Sequence, residues 1–417
     1  MARLPSVPVV MYHSVGIPNE DWRWGFLTCP YTTFESHLQW MKKKGFHSIS
    51  LQQLYEYMSK AASLPRNSVV LTFDDGYLDN WVFAYPLLKK YGFKGTIYVN
   101  LEFVDVRDIQ RKNLEDAWRG GTKIHDLKSL GYLSWEEMKH MEKHGVIDIQ
   151  SHTMTHTWYP ISDRIIDFRH PGDSYIWMTW NNHPGRKPYL QVDANELVDL
   201  GEPVYQHERA IGAKRYFPDG NLRDYMLDYV KQKGGRDFFK SSGWREDLFR
   251  VTKRYRAGNR LNGRYETDEE YEARVYYELQ ESKQIIESKL DKTVKFLCWP
   301  GGAVTGKVLR IAQEIGYVSS TAGKDMKHTK KKLGNRYGED PSRITRMGAD
   351  LYWDGIAGFG SKVVHNKGFF FVISLYRSQQ RKFISLFISI VRIGLIGLCT
   401  VIFKIPKSIG VRGRARK

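Results

Sequence analysis

Asp74 and Asp75 stand side by side at the end of the apolar run SVVLTF, with Gly76 next. Adjacent carboxylates repel each other. A fold tolerates them at the end of a buried strand where a cation or a proton transfer uses them. His152 and His156 form a second pair, four residues apart in SHTMTH, at the end of another apolar run. A helical turn would put both imidazoles on one face, a spacing that recurs among metal ligands. Taken alone, such a pair is as often two packing or surface histidines. Together with a strand-terminal Asp-Asp-Gly it describes one centre, because the strands of an α/β barrel direct their C-terminal ends at a common site.

The elements that must carry these residues alternate along the chain. VPVVMY (7–12), SVVLTF, KGTIYVN, IDIQSH and TVKFLCWPGG read as strands. TTFESHLQWMKKKGF, SISLQQLYEYMSK, NWVFAYPLLKKYGF, LSWEEMKHMEKHGV, EEYEARVYYELQESKQIIESKL and GKVLRIAQEIGY read as helices. Ser134, three residues before Glu137, marks a capping box at the start of one of them. This rhythm predicts a parallel sheet or an α/β barrel. Residues 158–267 break it with Tyr, Trp, Arg, Asn and Gly and little periodicity, and read as an insertion of loops and short helices. Its Trp177, Trp180 and Trp244 either stack on sugar rings or form the insertion's own core.

The chain has 417 residues, 41% of them hydrophobic, which supplies one large core or two ordinary ones. The formal charge of +18 favours polyanionic neighbours without choosing among lipid, glycan and nucleic acid. No nucleic-acid-binding motif accompanies it. Cys29, Cys298 and Cys399 are far apart and odd in number, which argues against a disulfide framework and for a reducing compartment. The first residues do not read as a signal peptide, so a cytoplasmic location is expected.

From residue 369 the chain turns apolar. FFFVISLY is followed by an apolar run at 383–403 and a basic tail. At helical spacing Arg381, Lys382, Ser385, Ser389, Arg392 and Thr400 fall on one side, which suits a helix lying in a membrane interface, on the inner face of the cell membrane. A buried C-terminal helix is the alternative. The expected division is a catalytic barrel at 1–368 and a membrane-associating segment at 369–417.

TFDDG at 72–76 and SHTMTH at 151–156 resemble the first two motifs of the metal-dependent polysaccharide deacetylases, carbohydrate esterases that include the chitin and peptidoglycan deacetylases. FLCWPGG at 296–302 resembles the third. The resemblance covers roughly 7–160 and 267–350. It implies a distorted (β/α) barrel that hydrolyses the N-acetyl group of an amino sugar in a glycan or a lipid-linked saccharide. By that resemblance Asp75, His152 and His156 bind a divalent metal, Zn²⁺ before Co²⁺, Mn²⁺ or Ni²⁺, and Asp74 is the general base. The Gly301 N–H would face the oxyanion, and Arg346 in RITRMG would orient Asp74. The family's late histidine motif has no copy near the C-terminus, but VMYH at 10–13 has its form. Biofilm poly-N-acetylglucosamine deacetylases, which are circularly permuted, open on such a strand, and this makes His13 the general acid. The residues themselves leave a packing role open for His13 and a structural ion pair for Arg346. The family usually carries an aromatic where Gly301 stands, so Trp299 or an aromatic of the insertion is expected to replace that wall. A binding module on an inactive barrel and a lipid-linked deformylase are the competing readings. The first is disfavoured because all three ligands and the base are present together.

Overall fold

The computed structural model describes residues 5–322, apart from 20, 21, 23, 61 and 190–194, together with 334–348, 368–379 and residue 390. Its core is an 8-stranded sheet in which every pairing is parallel. Around the ring run Val9–Tyr12, Ser68–Phe73, Gly95–Val99, Ile147–Ser151, Phe296–Leu297, Ser319–Thr321 and Arg343–Ile344. His47–Ser48 pairs beside them with the start of Ser68–Phe73. A bridge between Val10 and Met347 brings the last strand back to the first, so the sheet curls into a barrel. Strands with both faces covered read as continuous apolar runs, and Ser68–Phe73 is buried at every position.

The helices return the chain between strands. Trp135–Lys143 begins at the capping box expected at Ser134: the Ser134 hydroxyl accepts from the Glu137 N–H, and the Glu137 carboxylate accepts from the Ser134 N–H. The long helix from Asp268 to Leu290 contains a π-helical turn, Tyr277–Glu281. Such turns commonly mark functional positions, and this one carries Glu278.

Two expectations need correction. The insertion does not open on loops: Trp158–Phe168 and Pro203–Arg209 form a long antiparallel hairpin, followed by the helices Gly220–Gln232 and Trp244–Gly258. The hairpin was hidden because its pairing is shifted between Pro160 and Phe168, which destroys a clean two-residue alternation. Trp177 and Trp180 are buried with Trp22, Tyr77, Phe103 and Tyr132, while Trp244 packs beside Phe168 and Leu248. All three serve packing.

The boundary at 368/369 also moves. Gly368–Ser378 is a helix laid on Tyr31–Lys43, with Phe371 and Leu375 fully buried and Phe371 stacked 4.2 Å from the His37 ring. The Ser6 N–H donates to the Gln379 carbonyl at 3.1 Å, so this helix is tied to the first strand. The apolarity of 370–375 covers the barrel. The segment at 383–403 and the basic tail lie outside the described residues, residue 390 apart. Among the described residues no helix is long and apolar enough to cross a membrane.

Candidate active site

Each candidate residue follows the C-terminal end of a barrel strand. Asp74 and Asp75 follow Phe73, His152 follows Ser151, Gly301 follows the short Phe296–Leu297 strand, and Arg346 follows Ile344. His13 follows Tyr12 on the neighbouring strand. The structure thus brings all seven residues expected from the sequence to the same end of the barrel.

The turn after Phe73 separates the paired carboxylates. Asp75 has a φ of +72° and Gly76 of +69°, so the backbone reverses hand at once and sends the two side chains different ways. Gly76 has little choice, since a Cβ there would also stand 3.0 Å from Val99.

Asp75 Oδ1 lies 3.3 Å from His152 Nε2 and 3.5 Å from His156 Nε2. The two histidines are not on a helix as expected: Thr153 and His156 have φ of +70° and +42°, and the segment is a tight loop. Their convergence comes from that loop. His152 Nδ1 donates to the Cys298 carbonyl at 2.7 Å, which orients the ring with Nε2 facing Asp75. Burial pulls the His156 imidazole down to about 4, against the pull of Asp75, so it is neutral near pH 7. Burial also works against the charge of His152, but Cys298 and Asp75 outweigh it and hold that imidazole well above its ordinary value, a proton that a bound cation would displace. Burial opposes ionisation of Asp75, but His156 and His152 together outweigh it and hold its carboxyl well below the usual range.

This donor set fits a divalent cation. One carboxylate oxygen and two imidazole nitrogens all lie within 4.8 Å of one another. A tetrahedral ion with bonds of roughly 2.0–2.1 Å sets its ligands about 3.3 Å apart, close to the separations seen.

Asp74 faces a different set of partners. Its two oxygens accept from Arg346 Nη1 at 2.7 Å and Nη2 at 2.9 Å. His13 Nε2 stands 3.9 Å from Oδ2. Burial works against its charge, yet Arg346 and then His13 prevail and keep the carboxyl ionised below its usual range. The ion-pair and orienting roles of Arg346 are therefore one geometry.

Three residues of this centre carry no signal in the motifs as read. Cys298 is fully buried beneath Asp74, with its Sγ 3.5 Å from Asp74 Oδ2 and 3.1 Å from Arg346 Nη2. Glu278 is buried and accepts from the N–H groups of Met154 at 3.1 Å and Thr155 at 3.0 Å, and from the Thr155 hydroxyl. It thereby holds the loop that presents His156. Arg209 lies on the insertion hairpin, paired in register with Trp158. Only Cys298, inside FLCWPGG, stands near a motif; the other two reach the site from distant sequence.

The wall expected at Gly301 is built differently. Trp299 is buried in the barrel core, where it cannot line the site. The Arg209 guanidinium lies over Gly301 instead: a Cβ there would meet Arg209 Cζ at 2.0 Å. Gly301 has a φ of +54°, a backbone conformation that favours glycine, and any side chain here would have to displace the Arg209 guanidinium.

A parallel α/β barrel with a carboxylate–imidazole centre and a clamped second carboxylate at its strand ends defines the class. Residues 61–180 and 260–320 match the family model named Polysaccharide deacetylase, and the break in the match falls within the insertion. The Bacillus subtilis protein YxkH, whose name places it among the polysaccharide deacetylases, is 33% identical over 151 residues, 36% of this chain and 43% of its own. Poly-beta-1,6-N-acetyl-D-glucosamine N-deacetylase of Escherichia coli K12 is 19% identical over 308 residues, 74% of this chain and 32% of its own. The chain thus spans less than half the length of these curated relatives. Among solved structures, a de-N-acetylase from Aggregatibacter actinomycetemcomitans aligns with a TM-score of 0.48 at 19% identity, over 82% of this chain and 94% of that one.

Proposed function

We propose that this protein hydrolyses the N-acetyl group of an N-acetylated amino sugar within a glycan. The observation that carries the reading is the division of labour between adjacent carboxylates: Asp75 converges with His152 and His156, while Asp74 is gripped by Arg346 within reach of His13. The names of the relatives supply the substrate class.

Asp75, His152 and His156 would hold a divalent cation, which when bound polarises an amide carbonyl and lowers the pKa of water. Asp74, kept ionised by Arg346, accepts the proton of the attacking water. His13, from the other side of Asp74, delivers a proton to the departing nitrogen. Gly301 sits second in the three-residue turn Pro300–Gly302, where the first N–H groups have no acceptor within the turn. Its N–H is the donor assigned to the developing oxyanion. Zn²⁺ suits one carboxylate and two imidazoles best, with Co²⁺, Mn²⁺ and Ni²⁺ as substitutes. The opening strand then does the work of the family's late histidine strand, which supports reading the chain order as permuted.

A lipid-linked saccharide at the inner face of the cell membrane is the second reading, supported by the apolar and basic sequence of 383–417. Incubation of the zinc-loaded protein with N-acetylglucosamine oligomers, and with a lipid-linked N-acetylglucosamine in vesicles, tests both. Released acetate is the readout. Release from the oligomers supports the first reading, release confined to vesicles the second, and no release from either overturns deacetylation.

A further inference from the structure

Among the described residues Arg209 has no adequate anion. Its Nε is buried and has no hydrogen-bond partner. Its one carboxylate contact among the described residues is Glu208 Oε1 at 3.9 Å from Nη1, beyond hydrogen-bond range, and Glu208 is half exposed. Burial works against its charge, and Glu208 offsets this only in part. Arg215 shares an unpartnered buried Nε but stacks on Tyr159 and Phe217; Arg346 and Arg274 differ from both. Arg346 is held bidentately by Asp74, and Arg274 by Glu266 with both contacts at 2.7 Å.

The fold fixes where this cation points. One face of the guanidinium covers Gly301, on the turn assigned to the oxyanion. Its carbon also stands 5.5 Å from the Trp158 ring, which packs edge-on 5.9 Å from the His156 ring. Arg209 therefore spans the site from the metal-ligand side to the oxyanion side. Its backbone is set by a strand pairing, Trp158 with Arg209. A neutral aromatic at position 301 would present an apolar wall to a sugar ring. Here the wall is apolar at Trp158 and cationic at its centre.

We propose that Arg209 selects substrates in which the N-acyl amino sugar carries, or directly adjoins, an anionic group, a phosphate or a carboxylate. The inference rests on the deacetylase reading and narrows its substrate class. A guanidinium with free Nη donors matches both anions bidentately, and a ligand anion would restore the hydrogen bonds that the fold leaves unmade. The overall charge of +18 would steer such substrates toward the protein.

The test compares matched pairs on zinc-loaded full-length protein at low salt. N-acetylglucosamine 1-phosphate is set against methyl N-acetylglucosaminide, and a disaccharide with glucuronate next to N-acetylglucosamine against one with glucose. The wild type should favour the charged member of at least one pair by about 10–100-fold in kcat/KM, the range of a charge-assisted hydrogen bond. Preference in the first pair alone identifies a phosphate, in the second a carboxylate. Arg209→Gln should abolish the preference and Arg209→Lys retain part of it, with metal content unchanged. A wild type that turns over both members of both pairs equally, or an Arg209→Gln that loses the same factor on charged and neutral substrates, overturns the proposal. If no substrate is hydrolysed, the deacetylase reading fails. Calorimetric binding of N-acetylglucosamine 1-phosphate and of the glucuronate disaccharide then decides the role of Arg209: weakening in Arg209→Gln sustains it, and equal or absent binding sinks it.

Discussion

Arg346 meets Asp74 with two parallel hydrogen bonds, 2.7 and 2.9 Å, although the two lie 272 residues apart in sequence. Both side chains are largely buried. Breaking such a pair leaves one uncompensated charge, at a cost of about 3–5 kcal/mol. Arg346→Met should lose stability of that order in urea unfolding of the metal-free protein. The double variant Asp74→Asn/Arg346→Met should recover at least half of it. A double variant no more stable than Arg346→Met would show that the two charges are not coupled.

The separation of the adjacent carboxylates predicts opposite phenotypes. Asp75→Ala and His156→Ala should purify without bound metal, whereas Asp74→Asn should keep it and lose turnover. Elemental analysis alongside acetate release separates the cases, and a metal-free Asp74→Asn would reverse the assignment.

His13 should matter to turnover but not to metal retention, since its Nε2 stands 3.9 Å from Asp74 and it is not one of the three converging ligand side chains. His13→Ala is expected to lower kcat by ~10²–10⁴-fold, the usual range for a general acid–base group. Near-wild-type kcat would return His13 to a packing role.

Glu278 touches no proposed ligand, yet it receives the two backbone N–H groups preceding His156. Partners that orient metal ligands typically contribute about 10–100-fold in affinity. Glu278→Ala should weaken zinc binding by that factor in a competition titration with a chelating dye. Glu278→Gln, which keeps an acceptor oxygen, should weaken it less. Unchanged affinity in both would make this contact purely structural.

A pH effect on stability should come from Asp79. It is buried; one oxygen accepts from the Ser14 hydroxyl and the other has no partner. Burial raises its carboxyl from 3.8 to about 7 despite the hydrogen bonds it accepts. The folded state therefore holds an extra proton between those values. The stability it lends is complete below about pH 4 and is lost as pH rises through about 7, at no more than roughly 1.4 kcal/mol per pH unit. Asp79→Asn stays neutral, so its stability relative to wild type should improve from pH 4.5 to 7.5 in urea titrations. A constant difference would place the proton elsewhere.

The barrel and its motifs were legible because each parallel strand is buried on both faces and ends abruptly in polar residues. SVVLTF followed by Asp74 and Asp75 announces both the strand and its working end. Arg346 and His13 were reached only through the family resemblance, and the structure places both beside Asp74. Glu278 and Arg209 were not legible, because nothing local distinguishes them from any Glu or Arg on a helix or hairpin. Their meaning lies in contacts made across more than ninety residues, with Thr155 and Gly301. The apolar stretch 369–376 misled for a physical reason. A helix that covers a barrel helix and one that lies on lipid bury the same residue types. What distinguishes them is the receiving surface, here His37 and its neighbours.

The first strand pairs on one edge with Ser68–Phe73 and on the other with Met347, and Ser6 is tied to Gln379. For a ribosome-bound chain this sets an order of events. Of the barrel strands Val9–Tyr12 is made earliest and finds one neighbour soon, but its other neighbour is made more than three hundred residues later. At about 5–20 residues per second that wait is roughly 20–70 s. Throughout it the nascent barrel carries an open seam, a free parallel edge able to pair with another chain. Closure becomes a late act of synthesis, and the Gly368–Ser378 helix is the latch that reports to the N-terminus that the ring is complete.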